Sequence, residues 1–215
     1  MREAAGAERV AYWGNAYLAS TRQSYHCALG FFSERDFYTA YSYLFISFNN
    51  LYCLLGRFDG GEPSKIRAAV NRIPRDKIDD IYTARYAHLI EALNDGIPVQ
   101  FSAGPDSGVL SGGVINMRDY FLGKDATKCI AHVHQVAPAS GPAEEKRKTM
   151  EEVAAVLLYT VRNNQFHAFK APNQPLDERT LENAYCLLLP IVTALLPLAE
   201  RTVDEAVIGP SHLSS

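Results

Sequence analysis

Apolar and aromatic residues recur every three or four positions in the first part of the chain, from residue 8 to about 29 and again from 34 to 55. Residues at this spacing lie on one face of an α-helix, so the pattern predicts two long helices that each bury one side. Gly30 and Gly56 follow the two stretches, and glycine commonly ends a helix. We therefore expect the two helices to end there.

Two more helical segments are predicted before residue 97. SKIRAAVNRI, residues 64–73, follows a Gly-rich turn, and the Ser64 hydroxyl is its candidate N-cap. DKIDDIYTARYAHLIEALND, residues 76–95, has the pattern of one amphipathic helix that ends near Gly96. The first half of the chain is thus predicted to be almost wholly helical.

The helical period is lost between about residues 97 and 142. This part begins with IPVQFSAGPDSGVLSGGV, where glycine, proline, serine and aspartate cluster, which favours a loop or a small hairpin. NMRDYFLGKDATKCIAHVHQ is mixed and can hold one or two short helices, and VAPASGPA is typical of a flexible connector. We interpret 97–142 as an irregular insertion in a single domain, residues 1–215.

Two long helices are predicted after the insertion. Residues 144–167 start with a charged turn and continue with one apolar face, and this helix should end near His167 because Pro172 and Pro175 follow. Asp177 can then cap a last helix over 177–207. The predicted fold class is all-α, a helical bundle in which the last two long helices form a hairpin.

Composition limits the classes of function. A chain of 215 residues can bury a core of its own, and a formal net charge of −3 with a pI of about 6.1 excludes a generally basic nucleic-acid-binding surface. Contact with phosphates must then come from a local cluster of charges. Four separated cysteines and an N-terminus without the pattern of a secretory signal favour a cytoplasmic protein.

The longest uncharged apolar run is AYCLLLPIVTALLPLA, residues 184–199. A bilayer span needs about 20 apolar residues. This run is shorter and contains Pro190 and Pro197, so we interpret it as a buried, kinked helix and expect no membrane contact.

The segment YTVRNNQFHAFK, residues 159–170, places Arg162 and His167 close to a predicted helix end. Arginine suits phosphate oxygens and histidine moves protons near neutral pH, so the pair suggests phosphoryl chemistry. Five residues of helix turn through about 500°, so the two side chains converge only if the last turn unwinds. About one such spacing is expected by chance, so its context must decide its meaning.

That context resembles the HEPN superfamily, the higher eukaryotes and prokaryotes nucleotide-binding domains. Its ribonuclease members carry an arginine, a polar residue and a histidine a few positions later, at the end of a long helix that another helix follows. Here these residues are Arg162, Asn163 and His167. A second segment, YSYLFISFNNLYCLLG, residues 41–56, is similar to an aromatic-rich early helix of longer prokaryotic members.

The resemblance implies a HEPN-like bundle with metal-independent endoribonuclease activity, no cofactor, and a composite site made by two protomers of a homodimer. His167 would be the general acid or base, Arg162 would stabilise charge on the phosphate and Asn163 would orient it. Asn164 and Lys170 are candidate substrate-binding residues, with helix capping and solvation as their structural alternatives. The products would end in a 2',3'-cyclic phosphate.

The resemblance also suggests a biological setting, a toxin or antiviral effector with an antitoxin or regulatory partner. Phe169 stands where toxins silenced by nucleotide transfer carry a tyrosine, which counts against that form of silencing. The alternatives are a non-catalytic HEPN-like module that binds RNA, a nucleotide or a protein, and an unrelated helical adaptor whose last hairpin docks on a partner.

Other candidate sites are weaker. Cys129, His132 and His134 lack a fourth ligand at a zinc-like spacing, so we predict no metal site. GPDSGVLSGG lacks the lysine of a phosphate-binding P-loop. The many aromatic residues of the first two helices are dense enough for base stacking, yet aromatic stripes at helical spacing usually form a core.

Overall fold

The computed structural model describes residues 2–56, 61–96, 114–115, 130–131, 133, 135–162 and 175–208. The predicted all-α class is confirmed, because helices make up nearly all of this part of the chain. The α-helices are α1 Arg2–Ser33, α2 Phe37–Leu55, α3 Glu62–Val70, α4 Arg75–Ile81, α5 Ala84–Gly96, α6 Ala143–Glu152 and α7 Pro175–Ile208. A π-helical segment, Val153–Leu158, continues α6, and residues 159–162 return to α-helix.

Helices α1, α2 and α7 form the centre of the bundle. α1 and α2 run antiparallel, and the Asn50 amide donates to the Ser20 hydroxyl across 3.1 Å between them. α7 runs antiparallel to α1, since Phe32 stacks on Tyr185 and Arg22 pairs with Glu200 further along. α3 packs on α2 and on the π-helical segment, while α5 packs on α7.

The first helix does not end at Gly30, so that prediction is wrong. Gly30 is helical, and α1 continues to Ser33. The turn is made instead by Arg35, whose φ of 63° is left-handed, and by Asp36, whose carboxylate accepts from the Thr39 backbone N–H over 3.0 Å. A local cap therefore decides where α2 begins.

The end of α2 at Gly56 was predicted correctly, and the structure gives the reason. A Cβ at Gly56 would lie 2.5 Å from the Tyr52 carbonyl oxygen and 2.7 Å from the Lys65 carbonyl oxygen. Both atoms belong to backbone, so only glycine allows α3 to approach the end of α2 this closely. This contact places the start of α3 beside α2.

Two details of α3 to α5 differ from the prediction. α3 begins at Glu62 after Gly61, so Ser64 lies inside the first turn and is not the N-cap. The helix predicted over 76–95 is two helices, because Tyr82 leaves helical geometry, with φ −81° and ψ 69°. Its side chain is buried, and its hydroxyl donates to the Ala137 carbonyl over 2.9 Å.

The predicted insertion contains the only β-structure in the described residues. Val114–Ile115 pairs antiparallel with Ile130–Ala131, two strands of two residues each that we call β1 and β2. Val133 of the insertion is bonded to α5, since Asn94 donates to the Val133 carbonyl and accepts from the Val133 backbone N–H. The rest of 97–129 lies outside the described residues.

The last helix begins earlier than predicted. α7 starts at Pro175, so Asp177 lies within its first turn and does not cap it. Pro190 and Pro197 are accommodated inside the helix. In the described chain, Glu178–Val207 is the one stretch long and apolar enough to cross a membrane by length and composition. In the structure, α7 packs against α1, α2 and α5; the absence of membrane contact stays a prediction.

Candidate functional site

The segments 41–56 and 159–170, which the sequence singled out separately, meet in the structure through their described residues. The end of α2, the start of α3 and helical residues 159–162 lie together. We call Asn49, Tyr52, Glu62, Tyr159 and Arg162 the polar cluster. It joins three elements that are distant in sequence.

Glu62 is the centre of the polar cluster. The Tyr52 hydroxyl donates to its Oε1 over 2.7 Å, and the Tyr159 hydroxyl donates to its Oε2 over 2.5 Å. The Asn49 Oδ1 also lies within hydrogen-bonding distance of the Tyr52 hydroxyl. Each carboxylate oxygen is thus tied to a different helix, and the carboxylate cannot rotate without losing a hydrogen bond.

The environment keeps Glu62 ionised. Burial alone would raise the pKa of its carboxyl, but the hydrogen bonds from Tyr159 and Tyr52 and the charges of Arg162 and Lys65 lower that pKa more strongly. Burial and the Glu62 carboxylate raise the pKa of Tyr52 far above its ordinary value. At neutral pH, the Tyr52 phenol is therefore a proton donor and Glu62 an anion.

Arg162 lies at the edge of the core and is half-buried. Its guanidinium carbon is 5.8 Å from the centroid of the Phe45 ring, within the range of a cation–π contact. Phe45 is on α2, about two helical turns before Tyr52 and on the same face. The guanidinium is therefore close to an aromatic face and within the electrostatic reach of a carboxylate, without being enclosed by the apolar interior.

The helix that carries Arg162 is irregular just before it. Val153–Leu158 is π-helical. π-helical segments are rare in proteins, and those that occur often lie near functional sites. The buried Tyr41 hydroxyl donates to the Leu158 carbonyl over 2.7 Å, so α2 holds the end of this segment. Burial raises the pKa of Tyr41, with the Arg162 charge opposing that rise, which keeps the phenol protonated.

Four predicted site residues, Asn163, Asn164, His167 and Lys170, lie outside the described residues. The convergence of His167 with Arg162 therefore stays a prediction. Cys129, His132 and His134 also lie outside them. Among the residues that the structure describes, no group of three histidine, cysteine or acidic side chains could hold a metal ion.

Sequence reasoning did not predict Asn49, Tyr52, Glu62 or Tyr159 as site residues. Tyr159 precedes Arg162 by three positions, a spacing that places both on neighbouring parts of one helix surface, and this signal was present in the sequence. Glu62 carries no comparable signal, since its role depends on how α3 folds back onto α2. Tyr52 and Asn49 belong to the FNNLY segment that supports the superfamily resemblance.

A second polar region lies along α3 and the end of α2. It is an open groove of about 470 Å³ whose lining includes Arg67, Arg72, Ser64, Asn71 and Glu151. Arg67 is paired with Glu152, and the Arg72 guanidinium donates to the Leu55 carbonyl at the end of α2. These arginines stabilise contacts between helices, and the nearby carboxylates balance their charge.

Comparisons with protein-family models, with curated proteins and with solved structures find no match to this chain. The fold and the polar cluster are therefore the observations that bear on its function.

Proposed function

We propose that this chain is a HEPN-type, metal-independent endoribonuclease that acts as a homodimer. The observation that supports this is the polar cluster, in which Tyr52 and Tyr159, from the two segments that resemble the superfamily, both bond to Glu62, while Arg162 lies over the Phe45 ring. An arginine held at the edge of a rigid bundle is suited to bind a phosphate group, because its donors keep a fixed geometry.

In the proposed reaction the ribose 2'-oxygen attacks the adjacent phosphorus and the bond to the 5'-oxygen breaks. His167 takes the proton of the 2'-hydroxyl or delivers a proton to the leaving oxygen. Arg162 stabilises the additional charge on the phosphate, and Asn163 orients it. Asn164 and Lys170 contact the RNA backbone. The products are a 2',3'-cyclic phosphate and a 5'-hydroxyl.

The proposed role is that of a toxin or antiviral effector in the cytoplasm, restrained by an antitoxin or regulatory partner. A chain with a net charge of −3 attracts RNA poorly as a whole, so a groove between two protomers must concentrate the positive charge locally. That requirement agrees with a composite site.

The test is RNA cleavage in EDTA by the wild type, by an Arg162→Ala/His167→Ala variant and by Arg22→Ala. Arg22 is a matched control, an exposed arginine on α1 that pairs with Glu200 on α7, two helices that contribute no residue to the polar cluster. We expect cyclic-phosphate ends with the wild type and with Arg22→Ala, and none with the double variant. If no purified form cuts any of a diverse set of RNAs, the proposed activity is wrong.

One observation favours the alternative, a non-catalytic HEPN-like module that binds RNA, a nucleotide or a protein. Arg162 contacts the Phe45 ring, and its charge interacts with that of Glu62. Both interactions are also expected of an arginine whose role is to stabilise the end of a helix. RNA binding without cleavage, weakened by the double variant, would support this alternative.

A further inference from the structure

The exposed aromatic and large aliphatic side chains are concentrated on two neighbouring helices. In the part of the chain that the structure describes, seven such side chains are exposed, and six of them belong to α1 and α2. The six are Tyr12, Trp13, Tyr17, Leu29, Tyr38 and Ile46.

The same two helices are almost without charge. Residues 11–33 contain one charged residue, Arg22, and residues 37–55 contain none, although 21% of the whole chain is charged. A helix on the surface of a bundle normally carries charged and polar residues on its outer face. The outer faces of α1 and α2 therefore differ from a surface that stays in contact with water.

Three of the exposed side chains lie where α1 and α2 run side by side. Trp13, Tyr17 and Ser20 follow one another at helical spacing on one side of α1, and the Ser20 hydroxyl accepts from Asn50 of α2. Ile46 lies one turn before Asn50 on α2. We call Trp13, Tyr17, Ser20 and Ile46 the α1–α2 face.

The one charge of α1 lies on a different side of the helix. Arg22 pairs with Glu200 of α7, and Leu29 follows Arg22 by two turns on that same side. The α1–α2 face is thus uncharged. Single-stranded RNA binds aromatic side chains within a positively charged groove, and helices that bind membrane surfaces carry lysine or arginine beside the apolar face. The lack of charge disfavours both ligands.

An uncharged aromatic face suits a second copy of the same chain. In a two-fold dimer the same surface occurs on both sides of the contact, so a charge near the axis would meet its own copy and repel it. The core of a protein interface is correspondingly depleted of charge and enriched in tryptophan and tyrosine.

The face is also large enough for such a contact. From Trp13 to the end of α1 it extends about 27 Å, and two helices side by side are about 20 Å wide. The projected area is therefore about 500 Å², and the side chains that protrude from it increase the accessible area. A typical stable interface buries about 800 Å² on each partner.

The α1–α2 face borders the polar cluster. Ile46 follows Phe45, whose ring lies under the Arg162 guanidinium. Asn49 of the polar cluster lies one turn after Ile46 on α2. A chain that covers the face therefore lies beside the residues proposed to bind the RNA phosphate.

We propose that two copies of this chain form a two-fold dimer through the α1–α2 face, with the axis close to Ile46. The inference rests on the proposed function, whose composite site needs a second chain, and it assigns the surface that joins the two. Since Arg162 is close to Ile46 through Phe45, the two Arg162 side chains of this dimer lie on either side of the axis.

Trp13 allows a direct test, because it is the only tryptophan of the chain and is 53% exposed in a single copy. Indole emission moves to shorter wavelength when water is excluded. On dilution of the wild type, we expect the emission maximum to move to longer wavelength at the concentration where light scattering shows the dimer dissociating. A dimer that dissociates with no change in Trp13 emission overturns the inference, because its contact surface is then elsewhere.

The variant that tests the axis is Ile46→Glu, and the matched control is Leu29→Glu. The two side chains are 42% and 39% exposed, but Leu29 is on the side of α1 that carries Arg22. We expect the dissociation constant of Ile46→Glu to rise about 100-fold or more, because two like charges meet at the axis, and Leu29→Glu to keep the wild-type constant. Equal dissociation constants of the two variants contradict the inference. Circular dichroism checks folding, and if Ile46→Glu does not fold, dilution of the wild type still decides.

Other occupants of the face give different results. An emission shift of Trp13 on adding phosphatidylcholine vesicles, without one on changing the protein concentration, identifies a membrane surface and overturns the inference. The mass of a single chain at every concentration overturns both the inference and the composite site.

The two proposals can also fail separately. If the wild type forms the dimer through this face and cuts no RNA, the endoribonuclease function is wrong and the inference stands. If Ile46→Glu is a single chain that cuts RNA at the wild-type rate, the composite site is wrong, while the surface that joins two chains is still the one assigned.

Discussion

The Tyr41 hydroxyl donates a 2.7 Å hydrogen bond to the backbone carbonyl of Leu158, across 117 residues of sequence. Tyr41 is completely buried on α2, and Leu158 is the last residue of the π-helical segment. A π-helix pairs its backbone groups over five residues instead of four. This bond therefore ties the core helix α2 to the turn that leads to Arg162.

Replacing Tyr41 by phenylalanine should remove that tie and leave the ring in place. We expect the free energy of unfolding to fall by about 1–2 kcal/mol, because a buried carbonyl loses a hydrogen-bonding partner. Urea denaturation measures the change, and Tyr12→Phe is the control because Tyr12 is 77% exposed. Equal stabilities of the two variants would show that the bond contributes nothing.

Gly56 and Gly30 form a second matched pair. Gly56→Ala should cost about 2 kcal/mol or more, since its Cβ would meet backbone carbonyl oxygens of Tyr52 and Lys65 at 2.5 and 2.7 Å. Gly30→Ala should stabilise the protein by about 0.5–1 kcal/mol, because Gly30 is inside α1 and a Cβ there meets no heavy atom within 4 Å.

Thermal unfolding of the two glycine variants is the measurement for this pair. A lower Tm for Gly56→Ala together with a higher Tm for Gly30→Ala is the expected result. Similar shifts in the same direction would mean that the packing of α3 on α2 does not depend on glycine at this position.

A composite site requires two chains. Light scattering at working concentration should therefore give twice the 23.8 kDa mass of one chain. The variant Arg162→Ala/His167→Ala should keep that mass while losing cleavage, which separates assembly from chemistry. A mass of one chain at the concentration where RNA is cut would contradict the composite site.

Periodicity in the sequence was enough to predict the helices, because their buried faces repeat at helical spacing. It was less reliable at helix ends, where tertiary contacts decide. Tyr82, where the predicted helix is broken, bonds to Ala137, and Arg35 and Asp36 make the turn after α1 while Gly30 stays helical. Neither contact is visible as a pattern in the sequence.

The candidate site shows the same division. Arg162 was identified from a motif that is local in sequence, whereas the FNNLY segment was interpreted as a bundle helix and none of its residues was predicted to belong to the site. Glu62 was not identified, because only the packing of α3 against α2 brings it to Tyr52 and to Tyr159. When a residue acts through contacts between helices that are distant in sequence, no local spacing in the sequence identifies it.

The polar cluster also makes stability depend on pH. The pKa of Glu62 is lowered in the folded protein. Burial alone would raise this pKa, but the hydrogen bonds from Tyr159 and Tyr52 and the charges of Arg162 and Lys65 outweigh the effect of burial. A carboxyl with a lowered pKa stabilises the folded state above its unfolded pKa of about 4.3, and this contribution is lost as pH falls through the folded pKa.

The Tm difference between the wild type and Glu62→Gln should therefore be largest near pH 7. It should shrink below about pH 4, because the Glu62 carboxyl becomes protonated there and, like the glutamine side chain, carries no charge. Calorimetry from pH 7 to pH 3 measures this Tm difference. Glu152→Gln is the control, since Glu152 pairs with Arg67 near the surface, and its Tm difference from the wild type should be smaller at every pH. A Tm difference for Glu62→Gln that stays constant over this range would mean that the ionised form of Glu62 has no preferred interaction in the folded protein, and that the charge of Arg162 does not reach it.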